Sequence, residues 1–462
     1  MFPICLGTDA EFAALRSALL ERDYTESGVR ELGADPVRIL VHLFIEGRAV
    51  KASAAAHLPM RELEALGLIS TSPEKILGTV MLYPTRGVYI VSDRDSTMDG
   101  PPIDDVVYPA NGPNTDIFLD YLPPGPCDAF LDLCAGTGVA AFVAARSCAQ
   151  HAWAFDITAR ATHFAEFNRR LNDIANVTPA QGDLYEPAGE QTFDRIVAHP
   201  PYLPVYRPHF VFDSGGQDGE QIVRRIIEGL PKYLRPGGKF FALTMGSDRA
   251  QPFENRLRKW LGEAANEFDI VFVVRRTISP RDYSADAVVK HQGSVEDIAG
   301  WRDLFKQWGV EALAYGYVVI QRRAAPRSVF TVRRNAGPKT GPAELAWLVD
   351  WATSALDTEK LLELKPRARA GVTLHVEHRF KDGAWQPESF RLESEYPFKA
   401  VMQAEPWTAN LLTLADGTRS VRQLLDQLLS DSVPPEEFAR AVGTMISAGL
   451  LGLDDHTVPT AH

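Results

Sequence analysis

The residues of this 462-residue chain that could do chemistry gather at the ends of short apolar runs. His199-Pro200-Pro201-Tyr202 follows the run "FDRIVA". Two prolines fix φ and remove two backbone donors, so the chain leaves the run rigid and extended, with carbonyls that no neighbouring N–H competes for. An imidazole, with an ordinary pKa of about 6.5, stands before the prolines and an aromatic ring after them. Neutral imidazole accepts a hydrogen bond through one nitrogen, or takes a proton from a hydroxyl, carboxylic acid or amine as a general base. A lone histidine at a strand end is usually structural.

Three further run ends carry a second constellation. "FLDL" passes into Cys134-Ala135-Gly136-Thr137-Gly138 and then a helical segment; the glycines permit a tight turn and let a ligand approach backbone that a side chain would block. Alone, this Gly-x-Gly is equally an ordinary turn. The next run, "AWAFD", ends in Asp156, where a carboxylate would accept hydrogen bonds from ribose hydroxyls. The run after it closes on "QGDLYEP" with Asp183. A glycine turn and two carboxylates at successive strand ends converge on one crevice, and an adenosine moiety suits it. Nicotinamide dinucleotide and S-adenosylmethionine both contain one. The run Gly136-Thr137-Gly138-Val139-Ala140-Ala141 does not choose between them; Asp183 and the His-Pro-Pro-Tyr segment favour the second.

The elements that must hold these residues are legible as an alternation. "DAFLDL", "HAWAFD", "FDRIVAH", "GGKFFALTM", "FDIVFVV" and "AYGYVVIQ" alternate with helical stretches such as "VAAFVAARSCA" and "EQIVRRIIEGLPKYL". Such a pattern predicts a mostly parallel sheet with helices on both faces, whose ligands bind beyond the strand C-termini. The fold class is therefore α/β, a Rossmann-like sheet over residues 105–336 flanked by small α+β modules. Residues 1–104 read as helices plus the hairpin "TVMLYPTRGVYIVSD", a winged-helix-like arrangement, with Asp35 as a helix N-cap, Pro36 in the first turn and Gly67 closing another helix. "RRNAGPKTGPAEL" reads as a linker. Residues 343–462 give a β-hairpin with an Asp-Gly turn, two amphipathic helices and a terminal strand, again winged-helix-like.

Composition narrows the function. A formal net charge of −12 at pH 7 argues against a broad nucleic-acid footprint, which needs clustered Lys and Arg. One local exception is 321–341, with Arg322, Arg323, Arg327, Arg333, Arg334 and Lys339 and no acid; it reads as a solvated edge or interdomain strand rather than an anion site. Four scattered cysteines without a CxxC pair predict neither a disulfide framework nor zinc, and no metal site is expected. "HVEH" at 375–378 sits on a strand with His375 and Glu377 on one face and His378 on the other, unsuited to a metal. No basic leader and no run of about 18 apolar residues are present, so a soluble, cytoplasmic protein without membrane association is expected.

Taken together, "FLDLCAGTGVAA", "AFDITARATHFAEFNRRLN", "QGDLYEP", "FDRIVAHPPYLP" and "DSGGQDG" resemble the successive motifs of class I S-adenosylmethionine-dependent methyltransferases, and most of all the release-factor glutamine N-methyltransferase group. The resemblance implies S-adenosylmethionine as cofactor. It implies that Asp132 braces the glycine loop, that Ala135, Gly136, Thr137 and Gly138 meet the methionine end, that Asp156 and Ile157 meet the ribose, and that Gly182, Asp183 and Leu184 meet the adenine. "YPANGPNTDIFLDYL" stands where the group has a segment covering the cofactor, with Thr115 and Asp116 as weaker candidates. His199, Pro200 and Tyr202 then form the catalytic set, with His199 also beside the cofactor. The group has Asn where this chain has His199, so the glutamine amide is not carried over as acceptor. The following loop adds His209, Asp213 and Asp218, the last read as a helix cap near Glu220. The C-terminal run is similar to small winged-helix domains related to peptide chaperones of quinone-cofactor biosynthesis, which bind a peptide along a sheet edge.

These readings leave as first expectation a methyltransferase acting on a nitrogen, or an oxygen, of a protein or peptide. The alternatives are an rRNA or tRNA base methyltransferase using the Arg-rich segment and Tyr202, a small-molecule natural-product methyltransferase, and a non-enzymatic scaffold of the same fold.

Overall fold

The computed structural model describes residues 3–31, 35–94, 104–123, 125–204, 215–290, 295–355, 357–428 and 433–453. The N-terminal part runs α1 (Asp9–Glu21), α2 (Glu26–Arg30), α3 (Asp35–Phe44), β1 (Val50–Lys51), α4 (Met60–Ala65), β2 (Ile69–Thr71), β3 (Lys75–Gly78), β4 (Met81–Thr85) and β5 (Val88–Ser92). Helix α1 starts in a capping box: the Glu11 N–H donates to Thr8 Oγ1 and the Thr8 N–H to Glu11 Oε2. Strands β1, β3 and β2 form a small sheet in that order. Strands β4 and β5 make a separate hairpin, turned by Arg86 and Gly87 at φ 46° and 76°, the two left-handed residues that suit a tight hairpin's twist. The Asp35–Phe44 helix, the α4 helix ahead of Gly67 and this hairpin all lie where the sequence predicts them.

The central part runs α5 (Pro113–Asp120), β6 (Cys127–Leu133), α6 (Val139–Ser147), β7 (Ala149–Asp156), α7 (Ala159–Leu171), β8 (Val177–Gln181), β9 (Phe193–Ala198), α8 (Gln221–Tyr233), β10 (Leu234–Asp248), α9 (Phe253–Trp260), β11 (Phe268–Ile278), α10 (Pro280–Lys290), α11 (Val295–Gln307) and β12 (Ala312–Arg322). Their strands order β8-β7-β6-β9-β10-β12-β11. All neighbours are parallel except β12, which runs antiparallel between β10 and β11. The chain winds outward from β6 through β7 to β8 and then returns to β9 on the other side of β6. That reversal opens a crevice beyond the C-terminal ends of β6 and β9. Separate apolar cores cover the sheet's two faces, one around Phe130, Phe142 and Phe241 and one around Leu131, Phe193 and Phe272.

The N-terminal part is fastened to this sheet by polar side chains of α7. Buried Asn168 accepts from the Val91 N–H at 2.8 Å and donates to the Val91 and Thr137 carbonyls; Asn172 exchanges the same pair of bonds with Tyr89. Two carboxamides thus pair with β5 as a neighbouring strand would. Arg160 of α7 adds a buried, two-pronged ion pair with Asp93, whose carboxylate also accepts from the Val107 N–H.

The chain continues through β13 (Thr331–Ala336), α12 (Pro342–Ser354), α13 (Thr358–Glu363), β14 (Arg367–Ala368), β15 (Thr373–Lys381), β16 (Ala384–Ser394), β17 (Phe398–Ala404), α14 (Pro406–Leu414), α15 (Val421–Leu428), α16 (Pro435–Ser447) and β18 (Leu451–Gly452). Here the linker reading of "RRNAGPKTGPAEL" fails. Its first residues lie in β13, which pairs in parallel with β11 and antiparallel with β17, so one 11-stranded sheet runs on to β15. Its glycines make a tight joint instead of slack chain. A side chain on Gly337 would collide with the Glu395 carbonyl, and Thr340 Oγ1 accepts from the Gly337 N–H while donating to Pro397. Close backbone approach calls for glycine as strongly as mobility does. The predicted pair of amphipathic helices and terminal strand are α15, α16 and β18.

Replacing Asn168 with Ala should cost about 2–4 kcal/mol, because it strands buried backbone groups of both β5 and the glycine loop. Urea denaturation would measure it; a loss near zero would mean that water replaces the carboxamide.

Candidate active site

The turn after β6 is built from reversed backbone. Cys134, Gly136 and Gly138 have φ of 56°, 52° and 79°, a region that L side chains avoid. Gly138 begins α6 and packs on Phe142, whose ring a Cβ would meet at 2.8 Å; around a Cβ placed on Gly136 there is no atom within 4 Å. One glycine is required by packing, and the other leaves open space facing the crevice.

Asp156, the last residue of β7, fixes that turn. Its Oδ2 accepts from the Gly136 N–H at 2.9 Å, and its Oδ1 from the N–H and hydroxyl of Thr158. Burial raises its pKa, opposed by the N–H groups of Thr158 and Gly136. Asp132, near the end of β6, lies deeper. Burial pushes it up to about 8, against a hydrogen bond from the Ala141 N–H and with Asp156 adding repulsion. Gly182 donates to the Asp156 carbonyl, which brings the β8 turn alongside. Asp183 there pairs with Arg225 of α8, Nη2 to Oδ2 at 2.7 Å, leaving Oδ1 for another donor.

His199 follows β9 on the opposite wall. Phe118 of α5 and Tyr202 flank its ring at centroid distances of 5.3 and 5.9 Å, and Tyr202 leans on Tyr315 at 5.5 Å. Burial pushes the imidazole pKa down to about 4. Among the described residues no hydrogen-bond partner meets either ring nitrogen. Asn114 closes the rim, accepting from the Tyr315 hydroxyl at 3.0 Å and donating to that of Tyr202.

A cavity of about 880 Å³ joins the two walls, in the upper range for small-molecule sites, which span roughly 300–1,000 Å³. Asp132, Ala135, Gly136, Thr137, Asp156, Ile157, Gly182, Asp183, Leu184, His199, Pro200, Tyr202 and Thr115 all line it. Gly138 does not, since it turns toward Phe142, and neither does Asp116, whose carbonyl instead accepts from Arg86. His209 and Asp213 lie outside the described residues. Asp218 is not the cap of α8, a position that Glu220 holds without a side-chain bond; it accepts from the Glu220 N–H and pairs with Arg249.

Sequence reasoning missed Phe118, Tyr108, Asn114 and Arg225, all of which line the cavity. Phe118 was findable, being three residues after Thr115 and so on the same face of a helix that starts at Pro113. Arg225 gives no local signal.

The Arg-rich segment is turned inward. Arg322 pairs with Glu267, Arg327 with Asp269, and Arg333 with Asp248 and Glu254, while Arg334 donates to Ser447. These pairs make it the interdomain strand of the sequence reading. Among the described residues no group of three or more His, Cys, Asp or Glu could hold a metal ion, and no helix is long and apolar enough to cross a membrane.

Residues 112–268 match the Methyltransferase small domain family. The chain is 33% identical over 138 residues to the release factor glutamine methyltransferase of Thermodesulfovibrio yellowstonii, covering 27% of this chain and 49% of that one. It is 34% identical over 159 residues to the release factor glutamine methyltransferase of Moorella thermoacetica, covering 31% and 54%. It is 35% identical over 165 residues to the ribosomal protein uL3 glutamine methyltransferase of Bradyrhizobium diazoefficiens, covering 32% and 51%. The chain thus spans about half the length of the curated relatives it matches.

With its pKa near 4, the His199 ring should stay neutral from pH 5 to 8. An NMR titration of its ring carbons checks this; a midpoint near the usual value of about 6.5 would put the ring in water. The unfolded chain takes up this proton first, so the His199 contribution is full at neutral pH and lost as pH falls from about 6.5 toward 4.

Proposed function

We propose that residues 105–336 form an S-adenosylmethionine-dependent methyltransferase that modifies a nitrogen of a protein or peptide in the cytoplasm, with the flanking modules selecting the substrate. The reading is carried by one observation: a single cavity at the switch point of the sheet has the Gly136 opening and Asp156 on one wall and His199 and Tyr202 on the other. The residues present fit the cofactor. Gly136 leaves the space that its amino-acid end needs, Asp156 Oδ2 keeps one lone pair for a ribose hydroxyl while Oδ1 is taken up by Thr158, and Asp183 Oδ1 is available to an adenine amino group. When bound, the cofactor supplies a methyl group on a sulfonium, which is transferred by in-line displacement.

The chain's own work is then to bind and aim the acceptor. A ring with a pKa near 4 is a weak base, so His199 acts by accepting a hydrogen bond from the target N–H and orienting the nitrogen lone pair. The Pro200 carbonyl, free of a neighbouring donor at Pro201, offers a second acceptor. Tyr202 and Phe118 present flat apolar faces to a planar group. A polypeptide is favoured over RNA because the Arg side chains that would meet a phosphate backbone are engaged by acids of the same chain, and because the relatives named above are methyltransferases of proteins.

Purified protein incubated with methyl-tritiated S-adenosylmethionine and fractionated lysate should label polypeptide; label confined to RNA or small molecules would overturn the acceptor class. In the same assay His199→Ala should reduce transfer by about 100-fold or more while calorimetric cofactor affinity holds. Asp156→Ala should instead weaken that affinity by about 1.5–3 kcal/mol, roughly 10- to 150-fold. Unchanged binding in Asp156→Ala would remove the ribose contact.

A further inference from the structure

Strand β15 ends the 11-stranded sheet. It is nine residues long, pairs with β16 on one side, and among the described residues pairs with nothing on the other. An edge of that length is a template for another strand, and chains ordinarily shorten, bend or cover such edges. Its apolar side chains are also uncovered. Leu374, Phe380 and the facing Trp385 are 41%, 59% and 69% exposed. Leu374, Val376 and Phe380 share one face of the hairpin with their partners Leu392, Phe390 and Trp385. The inner end of that face covers the C-terminal helices through Leu392, and the outer end covers nothing. His375, Glu377 and Arg379 occupy the other face.

We propose that β15 pairs antiparallel with β15 of a second copy of this chain, about a two-fold axis at His378. In that register Val376 of each copy lies opposite Phe380 of the other, and Glu377 opposite Arg379, each pair occurring twice by symmetry. The apolar rung then reads Trp385, Phe380, Val376, Phe390 across four strands, so the open side of each Phe380 gains Val376 of the other copy as a lateral neighbour. The opposite-charge rung is favourable, as directly facing charges of unlike sign are. Moving the axis by one residue, to Glu377, sets two carboxylates against each other. Moving it to Val376 replaces the Glu–Arg pairs with His375–Glu377 and leaves Phe380 and Trp385 exposed. Of these three registers the one centred on His378 brings both the apolar and the oppositely charged side chains together, and a two-fold contact closes at a dimer instead of growing into a fibre.

Sedimentation of the full-length protein should show a dimer that dissociates on dilution. Glu377→Arg and Arg379→Glu should each give a monomer, since each sets like charges opposite one another, and the two combined should restore the dimer. Circular dichroism melts of all three separate lost pairing from lost folding. Wild-type protein that stays monomeric at every concentration, or a dimer that either single reversal leaves unchanged, overturns the proposal.

Discussion

The hydrogen bond from the Gly136 N–H to Asp156 Oδ2, 2.9 Å long, is the constraint on which the crevice depends. Three residues of five in that turn have positive φ, a conformation that persists only when its surroundings over-determine it. Asp156 supplies the tie from the next strand, and the Ala135 N–H adds a second through the Phe155 carbonyl. The Thr137 carbonyl is held by Asn168 of α7, the same side chain that pairs with β5. The N-terminal part is thus coupled through one carboxamide to the loop that shapes the site. Its fastening is a matter of site geometry as well as of stability.

The opposite wall follows a different rule. Nothing polar in the described residues orients the His199 imidazole, and aromatic rings surround it. The exclusion of water that lowers its pKa also keeps a lone pair available at neutral pH and strengthens any hydrogen bond it accepts. A carboxylate neighbour would have done the reverse, stabilising the cation. The two walls divide the chemistry: buried acids and backbone donors on the side of Gly136, neutral aromatic surfaces and one imidazole on the other.

Charge explains why the basic run stays with the central sheet. An acidic protein with a basic run invites an external partner for that run, yet Arg322, Arg327 and Arg333 find Glu267, Asp269, Asp248 and Glu254 on neighbouring elements of the same sheet. The run serves as β13, joining the central strands to the C-terminal hairpin.

Sequence by itself determined what depends on local pattern: the βα alternation, the glycine turn, the carboxylates at successive strand ends and the rigid exit at His199-Pro200-Pro201-Tyr202. Each is a statement about which residue follows which, and strand C-termini in such a sheet must share one edge. Tertiary structure decided what depends on residues far apart in the chain. Arg225 reaches Asp183 from α8, Phe118 reaches His199 from α5, and Gly337 meets Glu395 across a joint that composition alone reads as slack. It also turned Gly138 away from the cavity and set the imidazole's acidity. Both outcomes rest on which side chains exclude water from a given atom, and no spacing rule along a single chain encodes that.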